Sequence, residues 1–266
     1  MVKPEPGDLT ALARRVEDAQ AEQMEATGRH APVPAEALRV GGGRAVWYGR
    51  GSPHSSAVGV GLAGPVERLD LERIEQHLGR GVDPVRVELC APADKTLAAW
   101  LGRRGYAVQG FQQVWTRLLA PPPDPPAAGR VRPMGPGEED LWVDLFGEAF
   151  LGGPPSLEVR DGLLSMPRTP TNACFVAFAG AAPAGVAMAS ACGGVALLTG
   201  AGVVPAHRGL GLQLALTQAR LAWALERGCD LAASAAEPGT ASQRTLERAG
   251  FRCAYPKAVM VRQPPA

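Results

Sequence analysis

Val203-Val204-Pro205-Ala206-His207-Arg208-Gly209-Leu210-Gly211-Leu212-Gln213 joins two different periodicities. The apolar run before it, 195–204, has the length and composition of a buried strand. After it, Leu212, Ala215, Leu216, Ala219, Ala222 and Leu225 recur at spacings of three and four, the period of one helix face, out to about Arg227. The junction therefore reads as strand, glycine turn, helix. The first N–H groups of a helix have no partner inside it, and the helix dipole adds partial positive charge there. Such a junction is a ready anion site. Gly209 and Gly211 lack a Cβ and let a phosphate approach the backbone, while Arg208 adds a fixed charge and a planar fork of donors. The element suits a phosphate, and a pyrophosphate best. A glycine pair that only makes a tight turn is the other reading.

Two glycine-loop patterns fail here. A P-loop needs Lys and then Ser or Thr after its second glycine, where this chain has Leu212 and Gln213. A dinucleotide fingerprint needs a third glycine, where Leu214 stands. Asp230 lies near the spacing of that fingerprint's acid, but it opens the next apolar run rather than closing it.

The stretch Arg208-Gly209-Leu210-Gly211-Leu212-Gln213 resembles motif A of the GCN5-related N-acetyltransferases (GNAT), Arg/Gln-x-x-Gly-x-Gly/Ala. Gln213 departs from it, standing where Gly or Ala is usual, with a side chain placed to crowd a pyrophosphate or to donate to it. The preceding Val203-Val204-Pro205 also matches, and the similarity spans roughly 130–262. The resemblance implies an α+β fold with a mixed, mostly antiparallel sheet flanked by helices. It implies acetyl-CoA as co-substrate, held by Val203, Val204, Arg208, Gly209, Leu210, Gly211, Leu212 and Gln213, and a transferase acting on an amine of a small molecule or peptide.

At 266 residues the chain is long enough for two small domains. A net charge near +1 removes the electrostatic case for nucleic acid or an anionic membrane. Met1-Val2-Lys3-Pro4-Glu5-Pro6 has no apolar signal core, and glycines and prolines break the apolar stretch 173–204 into strand-sized pieces. Five widely spaced cysteines without Cys-x-x-Cys read as reduced residues of a cytoplasmic protein, and four scattered histidines give no metal spacing.

Residues 120–129, Ala-Pro-Pro-Pro-Asp-Pro-Pro-Ala-Ala-Gly, suit an extended spacer better than a helix or strand. They divide the chain into 1–119, a linker at 120–129, and 130–266. The two parts end alike. Leu101-Gly102-Arg103-Arg104-Gly105-Tyr106 precedes Val114-Trp115-Thr116-Arg117, and Leu246-Glu247-Arg248-Ala249-Gly250-Phe251 precedes Val259-Met260-Val261-Arg262, with Gly105 and Gly250 145 residues apart. Each is a helix stopped by glycine, then an aromatic opening a strand. The pattern reads as two related GNAT-like halves, either an internal pseudo-dimer in a monomer or a protomer of a homodimer.

In the second half the expected order is a strand at 131–133, helices at 137–150 and 156–165, and strands at 174–178, 185–191 and 195–204. A helix at 211–227, a strand at 231–236, a helix at 241–249 and closing strands at 251–262 complete it. The first half suggests a helix at 8–27, strands at 44–48 and 56–62, a helix at 69–79 and a strand at 85–90. No Arg-Gly-x-Gly follows its middle strand. Pro65 removes a donor and Glu67 puts negative charge where a phosphate would sit, so this half is expected not to bind coenzyme A.

The resemblance also frames the chemistry. A backbone amide of strand 195–204, near Val203, is expected to polarise the thioester carbonyl. The family's usual acid, a tyrosine four residues before the closing Gly-Phe, is Leu246 here, and its frequent asparagine falls on Gly239. Ser242 is the candidate partner for the pantetheine arm or thiolate, with a plain residue of a helix start as its other reading, and Tyr255 is the candidate substitute acid, with a core or surface tyrosine of a closing strand as its other reading. Glu237, just after the strand beside the phosphate loop, is the first candidate for the base; a solvated turn residue is its other reading. With the tyrosine and asparagine absent, a non-catalytic acyl-CoA-binding or interaction protein is the alternative function.

Overall fold

The computed structural model describes residues 6–80, 83–120 and 129–264, so most of the proline-dense linker lies outside the described residues. The first half runs α1 (Pro6–Gly28), β1 (Glu36–Val40), β2 (Gly43–Trp47), β3 (Ser56–Val58), α2 (Arg68–Gly79), β4 (Val85–Cys90), α3 (Lys95–Arg103) and β5 (Ala107–Leu118). The second runs β6 (Val131–Pro133), α4 (Glu139–Phe150), α5 (Leu157–Leu163), α6 (Ser165–Arg168), β7 (Asn172–Ala179), β8 (Ala182–Cys192), β9 (Val195–Val203), α7 (Leu212–Glu226), β10 (Leu231–Ala236), α8 (Ala241–Arg248) and β11 (Arg252–Arg262).

Departures from the sequence pattern have local causes. Strand β1 was not expected; it turns into β2 through Gly41 and Gly42, whose φ angles of 56° and 77° suit a tight two-residue hairpin. The strand expected over 56–62 stops at Val58, because Gly59 and Gly61 adopt φ of 69° and 79° and bend the chain away. The helix expected over 156–165 is two short helices. Pro167 sits inside α6 rather than stopping a helix before it, in a first turn that needs no N–H from it.

The repeated helix ends are the same motif twice. Tyr106 N–H donates to Leu101 O at 3.1 Å and Gly105 N–H to Gly102 O at 3.2 Å. Phe251 N–H donates to Leu246 O at 3.0 Å and Gly250 N–H to Glu247 O at 3.0 Å. Gly105 and Gly250 hold φ of 74° and 78°, which completes a Schellman cap in each half.

The fold is α+β, with a mixed sheet flanked by helices, and the two expected sheets are joined. One 11-stranded sheet runs β1-β2-β3-β4-β11-β5-β10-β9-β8-β7-β6. The closing strands are exchanged: β11 of the second half pairs with β4, and β5 of the first pairs with β10. β5 and β11 also pair with each other from Arg252↔Thr116 to Val261↔Ala107. Both inner edges that two separate sheets would expose are thereby paired.

Helix α1 lies across this join. Ala13 and Val16 pack with Val195, Leu197, Leu231 and Ala233 on one face, while Leu221 and Ala224 of α7 pack with Ala196, Leu198 and Ala232 on the other. That is the alternation a strand imposes. Thr27 of α1 accepts from Asn172 Nδ2 at 3.3 Å, and Arg15 pairs with Asp230.

Candidate active site

The site begins where two strands part. β9 and β10 pair only from Leu231↔Val195 to Ala233↔Leu197. Past that point Ser234 Oγ donates to Leu198 O at 2.8 Å, and the strands then diverge. On its other side β9 is bulged against β8: Met188 faces Thr199 and Val186 faces Gly202, so Gly200 and Ala201 stand opposite Ala187 alone. A bulge leaves its extra residue out of the ladder and re-aims the chain. Gly200 takes φ of 55°, in the left-handed region. The small residues also admit the aromatic side of α4. A Cβ at Gly202 would lie 2.7 Å from the Phe150 ring, and one at Gly200 would lie 3.4 Å from Phe146.

Beyond the gap, the loop at 208–213 forms a cradle. Gly209 and Gly211 hold φ of 82° and 76°, and Gly211 is the N-cap of α7. The first backbone bond into the helix is Ala215 N–H to Gly211 O at 3.1 Å. The N–H groups of Gly209 through Leu214 thus donate to no described residue. A Cβ at Gly209 would meet nothing within 4 Å, and one at Gly211 only Arg130 Nη1 at 3.9 Å. These amides, unblocked and at a helix N-terminus, fit a phosphate-bearing group.

The side chains around the cradle brace it. Arg208 donates from Nε to Val203 O and from Nη2 to Ala149 O, each at 3.2 Å, tying the loop to β9 and to the end of α4. Gln213, the irregular member of the motif, turns toward β9 and donates to Ala201 O at 3.1 Å. It fills a structural bond there. Arg130, which the sequence pattern did not single out, donates to Leu210 O. With Phe178, Gly180 and Leu210 it lines a shallow cavity of about 420 Å³ beside the loop. Leu210 is exposed, whereas Val203, Val204 and Leu212 are buried. Val203 is paired opposite Gly185, and Val204 N–H donates to Ala184 O at 3.0 Å.

The candidate catalytic residues sit apart. Glu237 follows β10, exposed, and its carboxylate meets no described residue. Ser242 is exposed in the first turn of α8, which Thr240 caps by accepting from Gln243 N–H at 3.4 Å. Leu246 is buried in the core with Phe251 and Leu198, so the tyrosine's usual place is apolar. Tyr255 is 1% exposed and donates to Glu17 Oε1 at 2.7 Å. It belongs to a closed network at the join. There Lys257 Nζ, also 1% exposed, reaches Glu17 Oε2 at 2.8 Å, Gln20 Oε1 at 2.7 Å and Glu88 Oε2 at 3.0 Å. Burial and the Glu17 charge both push the Tyr255 phenol far above its ordinary range.

Arg220 of α7 is a second group that the pattern missed. It is 3% exposed beneath the β9 bulge. Its signal was present: an arginine set among Leu216, Ala219, Leu221 and Ala224, with Thr217 the other polar residue of that buried stretch. Among the described residues no cluster of His, Cys, Asp and Glu is arranged to hold a metal ion, and no helix is long and apolar enough to cross a membrane. Cys90, Cys174, Cys192 and Cys229 are buried and Cys253 is exposed.

Comparison with known proteins bears on the fold and on the second half. Residues 139–251 match the model of the acetyltransferase (GNAT) family. No curated protein matches the chain. Among solved structures, a GCN5-related N-acetyltransferase from Kribbella flavida is similar at 17% identity, with 96% of each chain covered and a TM-score of 0.68. A tandem GNAT protein from the clavulanic acid biosynthesis pathway is similar at 17% identity over 98% of this chain and 96% of its own, with a TM-score of 0.62. A GCN5-related N-acetyltransferase from Sphaerobacter thermophilus is similar at 19% identity over 99% and 95%, with a TM-score of 0.58. At these identities the likeness is one of fold, and it extends over both halves. The second half carries a GNAT acetyltransferase domain.

Proposed function

We propose that this chain is an N-acyltransferase that moves an acyl group, acetyl in the simplest case, from coenzyme A to an amine of a small molecule or peptide. Residues 130–266 form the cofactor-binding domain, and 1–119 a GNAT-like domain without a cofactor loop. The observation that carries the proposal is the row of unpartnered amides from Gly209 to Leu214, set at the mouth of the gap between β9 and β10. When bound, acetyl-CoA supplies an activated thioester. The amides of Gly209, Leu210, Gly211, Leu212 and Gln213 are assigned to its pyrophosphate, with Arg208 holding the loop and adding charge. Val203 and Val204 border the passage of the pantetheine arm, and Ser242 stands beside its route.

The donor for the thioester carbonyl is assigned to the bulge at Gly200 and Ala201. Val203 lies within the paired part of β9, and Val204 N–H is already taken by Ala184 O. In the transfer, the amine nitrogen's lone pair forms the new C–N bond and the C–S bond breaks. The thiolate leaves with the electron pair, and the amine's proton goes to solvent or to Glu237. Glu237 is free to accept it, being exposed and unpartnered at the end of β10. Tyr255 has no part in this scheme, because its proton is committed to Glu17. A site with so little built-in base suits an α-amine. Neutralising an amine of pKa about 7.7 at pH 7 costs about 1 kcal/mol, against about 4.6 kcal/mol for a lysine-like amine.

Thermal shift with acetyl-CoA, CoA and nucleotides, followed by thiol release over a panel of amines, tests the proposal. Stabilisation by acetyl-CoA and CoA with thiol release for at least one amine class is expected. Stabilisation without release for any amine would leave an acyl-CoA-binding protein instead. Absence of stabilisation would remove the cofactor assignment itself.

A further inference from the structure

Arg220 is buried without a carboxylate partner among the described residues. Its guanidinium donates only to neutral oxygens: Leu216 O at 3.1 Å, Met188 O at 3.3 Å, Thr199 O at 3.4 Å and Thr217 Oγ1 at 3.3 Å. Burial lowers its pKa to about 9, which leaves it charged at neutral pH. A lone buried cation is a poor way to fill space on a helix, since an apolar side chain of similar volume avoids the desolvation cost.

Its targets are not scattered. Met188 and Thr199 are the last pair before the β8–β9 ladder breaks, so Arg220 clamps both carbonyls at the edge of the bulge. The Thr199 hydroxyl there is itself buried with no hydrogen-bond partner. The Thr199 carbonyl and the Gly200 N–H belong to one peptide group. A cation on the oxygen polarises that group and makes its N–H a stronger donor, an effect that low surrounding dielectric enlarges.

From this geometry we infer that Arg220 is a positioning residue for acyl transfer: from beneath the sheet it fixes the β9 bulge and strengthens the Gly200 N–H as the donor to the thioester carbonyl. The inference rests on the acyltransferase reading above. It assigns no contact between Arg220 and substrate. Its charge acts through one peptide bond and through the field it projects on the gap.

The test follows the carbonyl as well as turnover. [1-13C]Acetyl-CoA is bound to the protein and to Arg220→Met, Arg220→Lys and Arg220→Gln variants, and the infrared stretch of the thioester carbonyl is recorded. The wild-type protein should shift that stretch to lower wavenumber than in free acetyl-CoA. Arg220→Met should lose at least half of the shift while binding acetyl-CoA within about threefold of wild type, and Arg220→Lys should recover part of it. With an accepted amine, kcat of Arg220→Met should fall by about 100-fold, as for removal of an oxyanion donor, with KM for acetyl-CoA little changed. If Arg220→Met fails to fold, Arg220→Gln against Arg220→Lys makes the same comparison of charge. An unchanged carbonyl shift in folded uncharged variants overturns the inference and leaves the acyltransferase reading intact. Failure of the wild-type protein to bind acetyl-CoA overturns both.

Discussion

The two halves repeat one plan, yet their clefts are opposites. In the second half β9 and β10 separate after three paired residues, and the helix beyond the gap presents free amides. In the first half β3 and β4 pair at Ala57↔Val87, and the wedge beyond is closed by the chain itself. Asp94 N–H donates to Gly61 O at 2.8 Å and Gly61 N–H to Gly41 O at 2.9 Å. Val66 N–H is taken by Thr96 Oγ1 at 2.7 Å, and Glu67 N–H, at the N-cap of α2, by Asp70 Oδ2 at 3.0 Å. Trp100 Nε1 donates to Val66 O at 3.0 Å and pins the loop down on α3. Beside this wedge sits Lys257, an ammonium from the other half's closing strand, held by Glu17, Gln20 and Glu88. The contrast lies in the acceptors: in the first half the chain itself supplies them, and in the second the loop amides are left free.

The largest expected effect breaks the first half's network. Lys257→Met strands the Glu17 and Glu88 carboxylates and should cost about 3–5 kcal/mol in urea unfolding. Adding Glu17→Gln should restore part of the loss. The charges of Glu17 and Glu88 outweigh burial and raise the Lys257 pKa. A raised pKa gives stability that is complete below the ordinary lysine range and lost progressively as pH rises above that range toward the raised value. Wild-type stability should therefore fall above about pH 10, and less steeply in Lys257→Met.

The next effect separates the two helix starts. Gly211→Val places a β-branched residue at a φ of 76° in the cradle. It should weaken acetyl-CoA binding by about 100-fold in calorimetry, about 2.7 kcal/mol. Asp70→Ala, at the corresponding start of α2, should cost about 1 kcal/mol of stability through its lost cap. It should leave acetyl-CoA affinity unchanged; a drop there would mean that the first half shares the cofactor.

The smallest effect tests the brace between halves. Arg15 lowers the Asp230 pKa by hydrogen bonding, but both side chains are largely exposed and solvent screens the pair. Asp230→Asn should cost no more than about 0.5 kcal/mol near pH 7. That difference should vanish as pH falls through the carboxylate range, because a depressed carboxylate pKa stabilises only above it.

Much of this was legible in the chain because it depends on neighbours in sequence. Gly209 and Gly211 announced a strand-to-helix turn with free amides, and Gly105 and Gly250 announced identical helix ends. Gly41-Gly42 also carried a hairpin signal, though β1 itself was too polar to stand out. Other features were not legible. Gln213 read as a side chain that would crowd the pyrophosphate or donate to it, whereas in the fold it donates to Ala201 O. Tyr255 stayed open between a substitute acid and a structural tyrosine, because nothing near it in sequence reveals Glu17, 238 residues away, as its acceptor.

The sequence by itself determined the periodicity of most elements, the glycine turns that end them, the doubled plan and the strand-to-helix turn whose first amides are left free. These follow from backbone conformation and local spacing, which a few adjacent residues settle. Only the tertiary structure decided that β5 and β11 change places, that α1 crosses both halves, and that Lys257 and Arg220 are buried charges with opposite company. Strand exchange and charge burial are set by groups brought together from far along the chain. The energy of a buried charge depends on which partners surround it, and spacing along the chain does not carry that information.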